Sequence, residues 1–181
     1  MEETFRRVVA VLRRTGIPWA LIGAHAANAF VRPRATVDID FVVDGPRLKA
    51  ALAALESEFG KLDVVEAGAA VSIDALALDL VRSDNHALFR AALDLAQDRE
   101  GVRIPPPELL VVLKLMAAVS PWHNPADRKQ DAADLIRLVQ TLGSDRDRDA
   151  ALQHAKRAFP SGDRELARLF DEIDRGDEVS L

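Results

Sequence analysis

Two carboxylates spaced two residues apart are the first residues whose type and pattern suggest chemistry. They are Asp38 and Asp40, within Val37-Asp38-Ile39-Asp40-Phe41-Val42-Val43. In an extended chain the side chains alternate, so Asp38, Asp40 and Val42 share one face and Val37, Ile39, Phe41 and Val43 the other. Same-face neighbours lie about 7 Å apart along a strand, which lets two carboxylates converge on one divalent cation or bracket a pair. Without a counter-ion their repulsion would raise one of the two pKa values. Aspartate is also a poor strand former, so a strand carrying two calls for a reason. An ordinary strand with one solvated face would show the same pattern, and what precedes the pair separates the two readings.

An apolar strand, Ile17 to Ile22, runs into Gly23-Ala24-His25, which opens an Ala-rich helix over about Ala24 to Val31. Glycine at such a turn lets backbone approach a ligand closely, and helix N-terminal amides suit phosphate. Arg32 and Arg34 then stand between this turn and the aspartates, where guanidinium forks would serve a triphosphate. The order is strand, glycine turn, helix, basic loop and D-x-D strand. It sets a phosphate cradle of Gly23, Ala24, His25, Arg32 and Arg34 beside a metal-binding pair.

The elements that must position these residues follow from periodicity. Residues 4–15 read as a helix, with Phe5, Val8, Val9 and Leu12 at helical spacing. Gly45-Pro46 ends the D-x-D strand, which begins at Val37, and opens a helix to about Phe59. Residues 62–81 are strand-like with a turn at Gly68, a helix covers about 86–97, and Val102–Ile104 is extended. Beyond the triple proline 105–107 the pattern is helical over about 107–119, 127–142, 147–158 and 163–174. The expected division is a mixed α/β core over residues 1–104 and a helical region over 105–181 packed on it.

Composition excludes several classes. The 181 residues include no cysteine, which removes disulfides and thiolate metal sites, and the four histidines show no ligand spacing. The 49% hydrophobic fraction supports a core without staples. Net charge of −5 argues against a general nucleic-acid coat and leaves room for one local basic surface. The N-terminal stretch carries charge within its apolar run, and the apolar run Leu109 to Val119 contains Lys114 and is about half of a ~20-residue span. The expectation is a soluble, cytoplasmic protein with no membrane partner. Trp19 and Trp122 read as packing residues, and the tail from Asp163 to Leu181 as an acidic amphipathic helix.

The segment Gly23 to Val43, with Arg32-Pro33-Arg34-Ala35-Thr36 ahead of Asp38-Ile39-Asp40, resembles the signature of the polymerase-β-type nucleotidyltransferase superfamily. Within it the segment is similar to the AbiEii/AbiGii group, the toxin components of type IV toxin–antitoxin systems. The likeness follows motif order over most of residues 17–140. It implies a mixed sheet flanked by helices and Mg²⁺-dependent transfer of a nucleoside monophosphate from an NTP, with Mn²⁺ as an alternative ion. It further implies an acceptor hydroxyl on RNA, tRNA ends especially, or on protein, and a cognate antitoxin. One position departs from the pattern: Ala24 stands where the family has Ser or Gly, so a phosphate-holding hydroxyl is missing while the backbone N–H stays.

The resemblance also directs attention to residues farther along. A third carboxylate is expected from a neighbouring strand, and Asp79 in Leu76-Ala77-Leu78-Asp79-Leu80-Val81 is a charge flanked by apolar residues. Asp74 competes, but the Leu-Asp-Leu-Val-Arg-Ser context favours Asp79. Asp38, Asp40 and Asp79 would hold the metal, with Asp79 taking the proton of the attacking hydroxyl. Lys114 is the sole charge in Leu109–Val119, so it either snorkels past its neighbours or points into a site that supplies negative charge. The group has a lysine in this helix, implying triphosphate contact, and an aspartate in the next. Here the next helix offers both Asp131 and Asp134, neighbours on one face, and the sequence does not choose between them. Asp127 reads as a helix cap. Two other readings stay open: a catalytically silent nucleotide- or partner-binding module of the same fold, which Ala24 favours, and a metal-dependent phosphoesterase.

Overall fold

The computed structural model describes residues 2–121 and 123–179. Trp122 and the last two residues of the expected tail helix therefore lie outside the described residues. The chain divides into two compact units, Met1–Ala26 with Arg34–Pro105, and Ala27–Pro33 with Pro106–Leu181.

The first unit carries a mixed sheet, as the sequence predicts, and the sheet has five strands. Helix α1 (Glu2–Thr15) turns Val8, Val9, Val11 and Leu12 inward, and its Phe5 ring stacks on Phe41 at 6.2 Å. Strand β1 (Trp19–Leu21) leads to the short helix α2 (Gly23–Ala27) and then to β2 (Ile39–Val43). A 3₁₀ turn at Gly45–Arg47 and helix α3 (Leu48–Phe59) follow, then β3 (Val65–Ala67), β4 (Ala70–Ile73) and β5 (Leu78–Arg82). The strand order is β1-β2-β5-β4-β3. Only the pairing of β2 with β5 is parallel; β1 on β2, β4 on β5 and β3 on β4 are antiparallel. Parallel neighbours need a long crossover, and here α3 and the β3–β4 hairpin form it. Ile39, Phe41, Leu78 and Leu80 are fully buried on one face, and each such side chain contributes roughly 1.5–3 kcal/mol.

After β5 come α4 (Ala87–Leu95) and a two-stranded hairpin of β6 (Gln97–Arg99) and β7 (Val102–Ile104). The helix expected to run to Gln97 therefore stops at Leu95. Glu100 and Gly101 at the hairpin tip both have positive φ, 54° and 85°, the geometry that matches the twist of a two-residue hairpin. Two further boundaries differ from the sequence reading. Strand β2 begins at Ile39 rather than Val37, because no strand pairs with the two residues before it, and Val37 is 63% exposed. Helix α2 ends at Ala27, whose carbonyl accepts from Phe30 N and Val31 N at 2.9 and 3.2 Å and so winds the chain into a turn.

The second unit consists of the turn segment and four helices, α5 (Pro107–Ala118), α6 (Pro125–Val139), α7 (Asp145–Ala155) and α8 (Gly162–Arg175). Leu109, Leu110, Val111, Val112 and Leu115 of α5 are buried, and α5 packs on α6 and α7. Helix α6 is capped by Asn124, whose side chain accepts from Ala126 N and Asp127 N at 2.9 and 3.0 Å. The expected cap, Asp127, instead lies within its first turn. No helix among the described residues is long and apolar enough to cross a membrane.

Candidate active site

Strand alternation and the parallel register together place two carboxylates side by side. Asp40 of β2 is the register partner of Asp79 of β5, between the buried pairs Ile39–Leu78 and Phe41–Leu80. Partners on adjoining strands point their side chains to the same face, at an inter-strand spacing of about 4.8 Å. Both aspartates are half-buried. On its other side Asp79 faces Ser72 of β4 in antiparallel register. Sequence reasoning passed over Ser72 as a neighbour of the site, since only the register of β4 reveals it. Asp74 is exposed in the 3₁₀ turn Asp74–Leu76, away from this register. Asp38 is exposed in the connecting segment one residue ahead of β2.

Val42 occupies the face that carries Asp40 and is fully buried. The face is therefore not a solvated strand surface, and the aspartates interrupt packed structure. Aspartates with no use are rarely placed there.

Gly23 is what gives the Asp40 carboxylate its room. A β-carbon at position 23 would stand 2.0 Å from Asp40 Oδ2 and 2.8 Å from its Cγ, and Gly23 has φ of +66°. Ile22 N donates to Asp40 O at 2.9 Å, which ties the turn to β2. With five residues, α2 is too short to supply much helix dipole, so the turn acts through space and backbone rather than as a charged helix end. Ala24 is buried. Arg34 Nη1 donates to Ala35 O at 3.0 Å, and Arg32 groups with the second unit.

His25 stacks on Phe5 at 5.5 Å with an interplanar angle of 21°. Burial, then the positive charge of Arg34, hold its pKa below the ordinary histidine value, against the opposing pull of Asp38. Its Nε2 is buried and has no hydrogen-bond partner among the described residues.

In the second unit, Lys114 meets both of the aspartates between which the sequence does not choose. Its Nζ lies 2.7 Å from Asp131 Oδ1 and 3.2 Å from Asp134 Oδ2. The three residues are 7%, 9% and 2% exposed, so this is a buried charge cluster. Arg137 Nη1 approaches Asp134 Oδ1 at 3.6 Å, and His123 Nδ1 approaches Asp131 Oδ2 at 3.1 Å. Of the two options for Lys114, the structure takes the second: it points into negative charge and does not snorkel. His123 escaped sequence reasoning because it sits in the α5–α6 connection, outside any periodic pattern.

Whether these residues suit a metal is a question of donor set. Among the described residues no three His, Cys, Asp or Glu side chains gather closely enough to hold an ion. Mg²⁺ is typically held by one or two carboxylates, with substrate phosphates and water completing its shell. The adjoining carboxylates of Asp40 and Asp79 fit that arrangement, while Asp38 is exposed ahead of β2.

No protein-family model matches the chain, and no curated protein sequence does. Solved structures do. The antibiotic-resistance factor ANT(2'')-Ia, in complex with adenylyl-2''-tobramycin, aligns with a TM-score of 0.57 at 15% identity, over 88% of this chain and 100% of that one. The fold is a nucleotidyltransferase fold. JHP933 from Helicobacter pylori aligns with a TM-score of 0.54 at 19% identity, over 86% of this chain and 70% of that one. A Megavirus polyadenylate synthase aligns with a TM-score of 0.51 at 16% identity, over 78% of this chain and 32% of the synthase. The narrower likeness to AbiEii/AbiGii toxins rests on the sequence motifs alone.

Proposed function

We propose that this protein transfers a nucleoside monophosphate from an NTP to an acceptor hydroxyl, releasing pyrophosphate. The observation that carries the reading is the in-register pair Asp40 and Asp79, with Gly23 giving Asp40 its space, within a nucleotidyltransferase fold. Asp40 and Asp79, in register on adjoining strands, would hold Mg²⁺, or Mn²⁺ in its place, and a role for Asp38 beside them rests on the sequence motif alone. When bound, the ion would neutralise charge on the triphosphate and on the departing pyrophosphate.

The chain's own residues supply the rest. Asp79 lies beside Asp40 on the sheet face and would accept the proton of the attacking hydroxyl as the new phosphodiester bond forms. Arg34 would neutralise phosphate oxygens, where most of the catalytic benefit in phosphoryl chemistry arises. The Gly23 turn keeps the Asp40 carboxylate from being pushed aside. Catalytic roles for Arg32, Lys114, Asp131 and Asp134 rest on the family resemblance.

The acceptor classes supported by resemblance are RNA, tRNA ends especially, and protein hydroxyls. The ANT(2'')-Ia complex adds a small-molecule hydroxyl, as on an aminoglycoside. A toxin role with a cognate antitoxin is part of the same resemblance. A second reading, a nucleotide-binding module without turnover, is favoured by Ala24, which removes a phosphate-holding hydroxyl. The test is incubation with each α-labelled NTP and Mg²⁺ alongside total RNA, total protein or tobramycin. Transfer predicts label on one acceptor class with stoichiometric pyrophosphate. Free labelled NMP would point to hydrolysis, and binding without turnover to the silent module.

A further inference from the structure

At the end of β1 remote from Gly23, the last turn of α1, the loop after it and the β6–β7 hairpin line a cleft of about 300 Å³. That is near the lower limit for small-molecule sites. Trp19, in its lining, is the register partner of Val43, which stands three strand residues, about 10 Å, beyond Asp40. The cleft therefore has no part in the mechanism above. Leu12, Ile17 and Trp19 line it with apolar surface, and its charged groups are Arg13, Asp98 and Arg103. Gly101 brings two of these together. A β-carbon there would stand 2.8 Å from Arg13 Nη1, so the guanidinium lies against the hairpin tip, and Gly101 N donates to Asp98 Oδ1 at 2.9 Å. Among the described residues Arg13 has no hydrogen-bond or ion-pair partner, whereas Arg14, its neighbour on α1, is paired with Glu58 at 3.0 Å. Arg103 Nη2 donates to Leu93 O and Ala96 O, both at 3.1 Å, which closes the end of α4 and fixes the guanidinium. Its Nε and Nη1, and Asp98 Oδ2, have no protein partner among the described residues. Two cations and one anion thus share a cleft with hydrogen-bonding capacity to spare, beside the partly negative C-terminal end of α1.

We propose that this cleft binds a free α-amino acid with an apolar side chain. The carboxylate is held by the guanidinium groups of Arg13 and Arg103, the ammonium by Asp98 and the end of α1, and the side chain by Leu12, Ile17 and Trp19. Charge selects this class. The two arginines exceed the one aspartate by a single charge, and the helix end offsets part of it. A zwitterion matches that distribution, with a partner of opposite sign for each of its ends. A phosphate dianion would bring excess negative charge against Asp98 and the α1 carbonyls, and a simple carboxylic acid would leave both without a donor. The small volume and the apolar lining restrict the ligand to one residue's size. The proposal stands independently of nucleotidyl transfer.

Calorimetry on the full chain, without nucleotide, tests this with L-leucine and L-phenylalanine. At least one is expected to bind saturably with a dissociation constant under about 1 mM, within reach of a ligand this small. Three further probes take leucine apart: 4-methylpentanoate lacks the ammonium, 3-methylbutylamine lacks the carboxylate, and inorganic phosphate is an anion alone. Each is expected to bind at least about tenfold more weakly, the worth of one charge-assisted hydrogen bond. R13M and D98N should weaken amino-acid binding about tenfold for the same reason, at unchanged melting temperatures. D98N keeps a side-chain oxygen for Gly101 N, so the hairpin tip is preserved. R14M removes the same charge from the same helix outside the cleft and should bind within about twofold of wild type, an exposed charge being screened. The chain has two tryptophans, so indole ¹⁵N–¹H signals assigned with W122F should show the Trp19 signal moving on titration. D40A should bind amino acid as wild type does, which keeps failure of this site distinct from failure of the transfer reading. No saturable binding of either amino acid would overturn the proposal. So would phosphate or 4-methylpentanoate binding as tightly as leucine, or R14M weakening binding as much as R13M.

Discussion

Gly23 and Asp40 are fitted to one another: the absent side chain of the first is the space occupied by the carboxylate of the second. A β-carbon on Gly23 would lie 2.0 Å from Asp40 Oδ2. The backbone adds a second reason for glycine, since φ of +66° disfavours any other residue. Either requirement alone would preserve a glycine, and only the spatial one links the turn to chemistry.

The two requirements can be separated by experiment. G23A is expected to lose roughly 1–2 kcal/mol of stability to its left-handed backbone. By displacing Asp40 it should also lose on the order of a hundredfold in nucleotidyl transfer, the usual consequence of a misplacement near 1 Å. Gly16 is the control, because it has φ of +63° with nothing within 4 Å of where a β-carbon would stand. G16A should pay the same backbone cost while transfer stays within about twofold, as an activity-silent backbone penalty requires. Urea unfolding and label transfer, measured on both variants, check the pair.

The Lys114 cluster makes a prediction about stability. Lys114 neutralises two buried carboxylates, so K114M leaves Asp131 and Asp134 without their buried cation. Breaking a buried ion pair from one side costs about 3–5 kcal/mol. D131N should cost less, near ~1 kcal/mol, because Asp134 still holds the ammonium. Replacing all three residues by Met and Leu should recover much of the K114M loss, as apolar substitutes for buried charge often do. Urea denaturation midpoints at neutral pH would show the order.

His154 of α7 carries a pH dependence whose sign follows from burial. Burial, then Arg157, lowers its pKa below 6.5, while Glu108 opposes the shift. Its Nδ1 is buried without a hydrogen-bond partner among the described residues. The unfolded chain then binds a proton at higher pH than the folded one, so stability falls as pH drops through the unfolded value toward the lowered folded one. Above the unfolded value both states are neutral and the effect vanishes. Melting temperatures taken from about pH 7.5 to about pH 5.5 should decline, and H154L should decline less steeply over the same range.

Much of the sheet-bearing unit was legible because its signals are local. Alternation in Ile39-Asp40-Phe41 and the glycine after an apolar run mark the strand and turn without reference to the rest of the chain. Lys114 stood out for the same reason, as one charge in an apolar helix. The pairing of Asp40 with Asp79 is different in kind, because a parallel register is fixed by the crossover through α3 and the β3–β4 hairpin. No local pattern encodes it, and a shift by one residue would have turned Asp79 to the opposite face. The stack of Phe5 beneath His25 is likewise tertiary. Val37 misled for the converse reason: its β-branched side chain suits a strand, but no neighbour pairs there and it lies exposed.

The central claim is that Asp40, in register with Asp79, serves nucleotidyl transfer. The most direct test compares wild type with D40A for transfer of label from α-labelled NTP to the acceptor class that wild type modifies, in Mg²⁺. Melting temperature is read on the same samples. The account predicts that D40A stays folded and loses transfer by at least about a hundredfold, the scale at which removal of a group stabilising developing charge is felt. Label transfer by folded D40A at the wild-type rate would contradict it.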